Sequence, residues 1–456
     1  MVYDLLILGG GPGGYTAAER AGNAGLKIAL FEKDTLGGVC LNEGCIPTKT
    51  MLNSAKIYNH ANNSEIFAVT SADVSFNQAQ VVKRKNKVVK ILVGGVKAKM
   101  KNSGVEVIKA DASLHGKEGA LFRVDACNET YLGKNLLIAT GSTPTIPPIS
   151  GLKEGLESGF VVTNKEILDL EEIPERLTVI GGGVIGLEMA SYFQTIGSRV
   201  TVIEMQDHIA GDTDSQIRKM LQDIYTKKGI KFILEAKVTK VGDGYIRYES
   251  TDVSAEIEAD IVLLSVGRRP VIEGYGLDSL GVEVEGGAIK TDAQCRTNIP
   301  RVYAAGDVNG RWMLAHAASR EAEVAVNTIL GKEDEMTYNN CPGVIYTSPE
   351  VAYVGATTAE LDLEGRPYKM IDIPFSYSGR YMAETNREQS LCKLIVDEVD
   401  HTLVGCHLLG PYVSEIIITA GIMIERKMTL TEIKQQIFPH PTVAEIIREG
   451  IFLLQG

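Results

Sequence analysis

The sequence predicts an α/β chain in which two dinucleotide-binding domains are followed by a third domain of α+β type. Three observations carry that expectation. A strand–glycine–helix–strand unit near the N-terminus recurs 172 residues further on. Each copy is closed by another apolar strand that breaks at a glycine, at Gly141 and again at Gly267. From about Thr337 the pattern changes to mixed strands and amphipathic helices with no nucleotide fingerprint.

In the first copy Leu5-Leu6-Ile7-Leu8 reads as a short, fully buried strand. It feeds Gly9-Gly10-Gly11-Pro12-Gly13-Gly14, then a helix from Tyr15 to Gly25 and a second strand from Lys27 to Phe31 that ends at Glu32. Gly9, Gly11 and Gly14 set the G-x-G-x-x-G of a Rossmann-like unit: they let backbone approach a pyrophosphate at the helix N-terminus. Glu32, eighteen positions past Gly14, can bond a ribose hydroxyl pair. The second copy repeats this with Leu177 to Ile180, then Gly181, Gly183 and Gly186, a helix, Val200 to Ile203, and Glu204. Two such units imply two dinucleotides bound at once. A carboxylate at Glu204 suits a free 2′-hydroxyl and repels a 2′-phosphate, which favours NAD over NADP.

Between the copies, Glu65 to Gly104 has helix-like apolar spacing with many lysines, and Val105 to Tyr131 reads as a small β-meander. Leu136 to Ser142 is a buried strand followed by Pro144, Pro147 and Pro148, which places a domain boundary there. Ile261 to Arg268 closes the second unit. Val302 to Asp307 is a further strand ending in Gly-Asp, and Trp312 to Leu330 a helix. The predicted domains are residues 1–145, 146–268, a return segment 269–336 belonging to the first domain, and 337–456. Subunit contact is the default role for the last.

Over 456 residues, 44% hydrophobic and 23% charged composition describes a soluble globular protein. A net charge of −12 argues against nucleic acid or an anionic membrane as the main partner. Seven irregularly spaced cysteines do not make a disulfide scaffold and suit a reducing compartment. There is neither a charged leader with a cleavage site nor an apolar run long enough to span a bilayer, so the expected location is cytoplasmic.

The stretch from Gly37 to Lys49 holds two cysteines five positions apart, Cys40 and Cys45, with Lys49 four residues beyond. On an ideal helix they would sit about 140° apart and roughly 7.5 Å along the axis. A bond between them needs a distorted first turn, and Gly44 makes that distortion cheap. A helix N-terminus here would favour thiolate over thiol. A disulfide that opens and closes, a structural staple, and two unrelated thiols all remain compatible with the spacing.

Taken together, these motifs resemble the flavin- and pyridine-nucleotide-dependent disulfide reductases, the class I pyridine nucleotide-disulfide oxidoreductases, and within them the dihydrolipoyl dehydrogenase branch. The likeness rests on the first fingerprint with Glu32, the Cys40–Cys45 stretch, Ala139-Thr140-Gly141, the second fingerprint with Glu188 and Glu204, Gly306-Asp307, Met313-Leu314-Ala315-His316-Ala317, and Pro439-His440-Pro441-Thr442-Val443-Ala444-Glu445. It implies FAD on the first unit, held by Gly9, Gly11, Gly14, Glu32, Lys49, the backbone around Ala110, Thr140 to Ser142, Asp307 and Ala315. It implies NAD on the second, held by Gly181 to Glu188, Glu204, the backbone near Val238, and Gly267. Glu188 would be the partner of Lys49 beside the flavin.

The resemblance makes Cys40–Cys45 a redox disulfide and His440–Glu445 an acid–base pair, since taking a proton from a dithiol needs a base near neutral pH. Pro441 forbids a continuous helix through His440, so the pair converges only if the chain turns between them. The expected reaction is oxidation of protein-bound dihydrolipoamide with reduction of NAD⁺. The enzyme would be a homodimer with active sites shared between subunits, and the lipoyl-bearing protein a separate chain. Val39, Glu43, Thr48 and Ala444 depart from the commonest family residues without removing a functional group. Glutathione-type reductases carry arginines where Glu204 and Met205 stand; mercuric and large thioredoxin reductases carry cysteines near a C-terminus that here reads Leu453-Leu454-Gln455-Gly456; soluble transhydrogenases lack the cysteine pair. A non-catalytic redox sensor needs no poised base, which His440–Glu445 would supply. No metal site is predicted. The remaining histidines and cysteines read as core or surface residues.

Overall fold

The apolar run at the N-terminus becomes β1 (Val2–Leu8), buried at five of its seven positions, in a computed structural model that describes residues 1–251 and 253–454. By contact density the chain divides into two units: residues 1–50, 82–146 and 267–338 form one, and residues 51–81, 147–266 and 339–456 the other. The last two residues of the predicted C-terminal domain, Gln455 and Gly456, lie outside the described residues.

In the first unit β1 pairs in parallel with β2 (Ile28–Glu32) on one side, and β2 pairs with β3 (Glu106–Lys109). Helix α1 (Pro12–Asn23) is the crossover from β1 to β2, with proline in its first turn, where the missing N–H costs nothing. The predicted meander is β4 (Ser113–Glu118), β5 (Leu121–Ala126) and β6 (Glu129–Ile138), paired antiparallel. The ten-residue β6 does double duty. Its first half pairs with β5, while its second half runs parallel to β1 and to Val302–Ala304, which ties the return segment into the same sheet.

In the second unit Lys231–Ile233, Arg199–Ile203, Arg176–Ile180, Ile261–Leu264 and Val161–Val162 form a parallel sheet in that order. The C-terminal segment makes a five-stranded antiparallel sheet around Leu391–Asp397, buried at every position, and Leu403–Gly410. Segments 147–266 and 339–454 fall into one unit for a physical reason. Ile345, Val351, Leu391 and Leu409 share an apolar core with Ile217, Leu221 and Tyr225. Lys393 donates to both carboxylate oxygens of Asp214 at 2.9 and 2.8 Å, with both side chains buried.

The Cys-bearing stretch forms α2 (Gly38–Glu43) and α3 (Cys45–Asn62). The next helix starts later than its apolar spacing suggests: α4 spans Gln78–Asn102, and only a single 3₁₀ turn, Ser64–Phe67, precedes it. The Ser/Thr/Asp-rich residues in between compete for backbone hydrogen bonds, and helix begins only where Asn77 Oδ1 accepts from Gln80 N–H at 3.0 Å.

Candidate functional site

The two glycine loops are built alike, each within its own unit. Gly9 and Gly181 hold φ of +99° and +104°, open to glycine. A Cβ on Gly14 would lie 1.8 Å from the Gly9 carbonyl oxygen, and one on Gly186 2.2 Å from that of Gly181, so helix and strand touch there. Gly11 and Gly183 cap their helices in extended conformation with no side-chain cap and no acid in the first turn. Glu32 accepts from Gly10 N–H at 2.7 Å and Asp34 N–H at 2.8 Å. Glu204 accepts from Gly182 N–H at 2.6 Å and Gln206 N–H at 2.9 Å. Uncapped N–H groups with a carboxylate fixed at the next strand end fit a pyrophosphate and its ribose, so both loops suit a dinucleotide.

Gly44, at φ −147° and ψ −102°, separates α2 from α3, and this break brings the cysteines together across two helices. Cys40 lies within α2, and Cys45 is the first residue of α3. The structure holds them as two thiols that hydrogen-bond to each other. That hydrogen bond and burial push the Cys40 thiol far above its ordinary range, against the pull of Lys49 one turn along α3. Tyr15 on α1 lies near the same pair; burial first, then the two sulfurs, push its phenol up.

A second cluster in this unit surrounds Asp307. Its Oδ2 accepts from the Ser142 hydroxyl at 2.5 Å, and Ser142 accepts from Arg268 Nε at 2.7 Å on its hydroxyl and from Nη2 at 2.7 Å on its carbonyl. Burial lowers the Arg268 guanidinium, while Asp307, Glu43 and Cys45 act electrostatically to sustain its charge. Gly306, at φ +83°, donates to Glu321 at 2.6 Å, and Tyr338 donates to the other carboxylate oxygen at 2.7 Å. Burial raises the Glu321 carboxyl. Thr140 donates to Val271 O at 2.8 Å, Ala110 N–H to Glu32 O at 3.1 Å, and Ala315 opens the Ala315–Ile329 helix. Gly267, expected with the second nucleotide, belongs by its contacts to this first unit. Its carbonyl accepts from Thr145 N–H at 3.0 Å, because Arg268–Pro270 pairs with Ser142–Pro144.

Arg268, Glu321 and Tyr338 were not singled out in the sequence. Glu321 alone left a signal: it sits on the buried stripe of its helix among Ala317, Ala318, Ala322 and Val324, where an acid is out of place.

In the second unit Glu188 is buried on the Val184–Thr195 helix and accepts from Tyr346 N–H at 2.9 Å, so it is not a solvated helix acid. Val238 is buried in the Lys237–Val241 strand, at an irregularity in its pairing. His440 and Glu445 do converge. His440 Nδ1 lies 2.9 Å from Glu445 Oε1, and Thr442 N–H donates to Oε2 at 2.9 Å as the chain turns into the Glu445–Leu453 helix. Burial alone would raise the Glu445 carboxyl; the Thr442 N–H and the imidazole outweigh it and hold the carboxyl below its ordinary range. The His440 side chain is 77% exposed. Of the other cysteines, Cys127 is exposed in a hairpin and Cys295, Cys341, Cys392 and Cys406 are buried.

The profile of the family "Pyridine nucleotide-disulphide oxidoreductase" matches residues 3–322, and that of its "dimerisation domain" residues 341–451. Dihydrolipoyl dehydrogenase 3 of Pseudomonas putida is 38% identical across 100% of this chain and 98% of its own length. Dihydrolipoyl dehydrogenase of Bacillus subtilis is 37% identical over the same shares. The crystal structure of LpdA from Mycobacterium tuberculosis superposes with a TM-score of 0.91 at 24% identity, covering 100% of both chains. Matched from its first glycine loop through its C-terminal sheet, this chain belongs to the pyridine nucleotide-disulphide oxidoreductases.

Proposed function

We propose that this oxidoreductase is a cytoplasmic dihydrolipoyl dehydrogenase, oxidising the dihydrolipoamide of a lipoyl-bearing protein to lipoamide while NAD⁺ is reduced. The observation that carries the reading is the Cys40–Cys45 thiol pair, in mutual hydrogen-bond contact with Lys49 one turn away, in the unit that also holds the Glu32 loop. Support for NAD comes from Glu204, whose carboxylate occupies the end of the second ribose strand. Support for a homodimer comes from the matched dimerisation domain, which exposes Ile418, Ile422 and Ile437.

In the disulfide form of Cys40 and Cys45, His440 from the other subunit takes a proton from one substrate thiol, with Glu445 holding its Nδ1 side and stabilising the imidazolium. The substrate thiolate attacks the Cys40 sulfur. A mixed disulfide forms and the Cys40–Cys45 bond breaks, leaving Cys45 as thiolate. The second substrate thiol then displaces Cys40, releasing lipoamide and leaving both cysteines reduced. Bound FAD supplies the two-electron relay from this dithiol to NAD⁺. Gly9, Gly11, Gly14, Glu32 and the Ser142–Asp307–Arg268 cluster would hold it, and Gly181, Gly183, Gly186, Glu188 and Glu204 would hold the nicotinamide nucleotide.

The test is Cys45→Ser holoenzyme, assayed with free dihydrolipoamide and NAD⁺. Turnover is expected to vanish while FAD stays bound, and the orange-red colour that dithiol produces in the yellow parent is expected not to form. Undiminished NAD⁺ reduction by the variant refutes the assignment, as does preference of the parent for glutathione and NADPH.

A further inference from the structure

The longest helix of the first unit has no part in the chemistry above, yet its charge is unlike that of the rest of the chain. From Gln78 to Asn102, α4 carries eight Lys and Arg and no Asp or Glu, in a protein whose net charge is −12. One side of it is buried through Val82, Val93, Val96 and Met100. On the solvent side Lys83, Lys87, Lys90, Lys97 and Lys101 are all exposed. At 100° per residue these five and Gly94 fall within about 40° of a single line, a stripe about 27 Å long. Among the described residues none of the five has a hydrogen-bond or ion-pair partner, whereas Lys99, off the stripe, pairs with Glu19 at 3.3 Å.

A merely solvated helix face gains from Glu–Lys pairs three or four apart, and here like charges stand at those spacings instead. Gly94 lies on that line and Gly95 about 100° round from it, and a Cβ at either would meet nothing within 4 Å. Ile91 is 62% exposed beside them. Packing within this unit therefore explains neither the glycines nor the bare isoleucine. Open backbone at Gly94 within a row of free ammonium groups, with an exposed apolar side chain beside that row, suits a protein-docking surface.

We infer that the α4 stripe docks an acidic protein surface, that of the chain carrying the dihydrolipoyl group. The inference rests on the function proposed above. Charge complementarity selects the occupant: a protein of net charge −12 repels an acidic carrier except at this stripe, which steers it and sets its orientation.

The experiment compares parent holoenzyme with Lys87→Glu/Lys90→Glu/Lys97→Glu, and with the milder triple Gln variant. The substrates are a dihydrolipoylated carrier domain of net negative charge and free dihydrolipoamide. At low salt the Glu variant is expected to lose about tenfold or more in kcat/KM for the carrier through KM, with free dihydrolipoamide within about twofold of parent. The parent's advantage should shrink as salt rises from about 20 to 200 mM. The Gln variant should fall between the two. Equal kcat/KM for the carrier across the three proteins overturns the docking surface while leaving the reaction standing. So does a charge-reversed protein that dissociates from dimer to monomer, or one that loses binding to duplex DNA or anionic vesicles while carrier kinetics hold. Failure of the parent to oxidise free dihydrolipoamide is a different result and removes the underlying reaction.

Discussion

Glu445 decides how His440 can act. Its carboxylate contacts Nδ1 at 2.9 Å, which in the proposed reaction leaves Nε2 as the nitrogen that meets a substrate thiol. His440→Gln is therefore expected to cut dithiol oxidation by about 10²–10⁴-fold with dye reduction by NADH nearly intact. Glu445→Gln, which keeps the shape and removes the charge, should cost less. Steady-state kinetics on both variants check this. His407 shows the opposite environment. It is fully buried, its Nε2–H donating to Ala356 O at 2.9 Å, and burial, aided by the charge of Lys393, lowers its pKa while Ala356 and Asp214 oppose. The fold thus holds the imidazole neutral, and the unfolded chain takes the proton at its ordinary value of 6.5. Stability from this group is fully present above that pH and is lost as pH falls below it, by at most about 1.4 kcal/mol per pH unit. Urea titrations at pH 7.5 and 5.5 should show parent losing more stability than His407→Gln on acidification. Equal losses would remove the buried imidazole from the acid response.

At the scale of elements, glycine separates two kinds of helix. In α1 and the Val184–Thr195 helix, Gly14 and Gly186 are places where backbone meets backbone, and Gly14→Ala is expected to drive apart strand and helix and release FAD. In α4, Gly94 and Gly95 face open space at ordinary helical geometry, so Gly94→Ala/Gly95→Ala is expected to stabilise the protein by about 1–2 kcal/mol. A rise in the denaturant midpoint with unchanged slope is the readout. These two cases also mark what the sequence discloses. The glycine loops with Glu32 and Glu204 were legible because the turn, the close approach and the ribose contact each demand a residue type at a fixed spacing. The break at Gly44 was legible because cysteines five apart cannot meet on a regular helix. The start of α4 was not, since apolar spacing from Glu65 onward says nothing of the side chains that compete for its backbone. Arg268 and Tyr338 were hidden for another reason: each acts on a partner fixed only by the folded chain, Ser142 across 126 positions and Glu321 across 17.

On the scale of the whole molecule, one protomer carries the thiols in one unit and the imidazole in the other, with the His440 side chain 77% exposed. An exposed imidazole in a matched dimerisation domain, if it is the base of the proposed reaction, suits a site completed by a second chain. Sharing of this kind makes a numerical prediction. Neither Cys45→Ser nor His440→Gln homodimers should oxidise dihydrolipoamide appreciably. In a mixed dimer the histidine of the Cys45→Ser chain faces the intact cysteines of the His440→Gln chain, which gives one whole site and one doubly defective site. Co-expression at equal amounts with free exchange puts half the dimers in the mixed state, so roughly a quarter of parent activity should return. If each site were built from a single chain, every site in the mixture would carry one lesion and no activity would return. Tagging the two chains differently and purifying through both tags isolates the mixed dimer, whose turnover per dimer should then approach about half of parent.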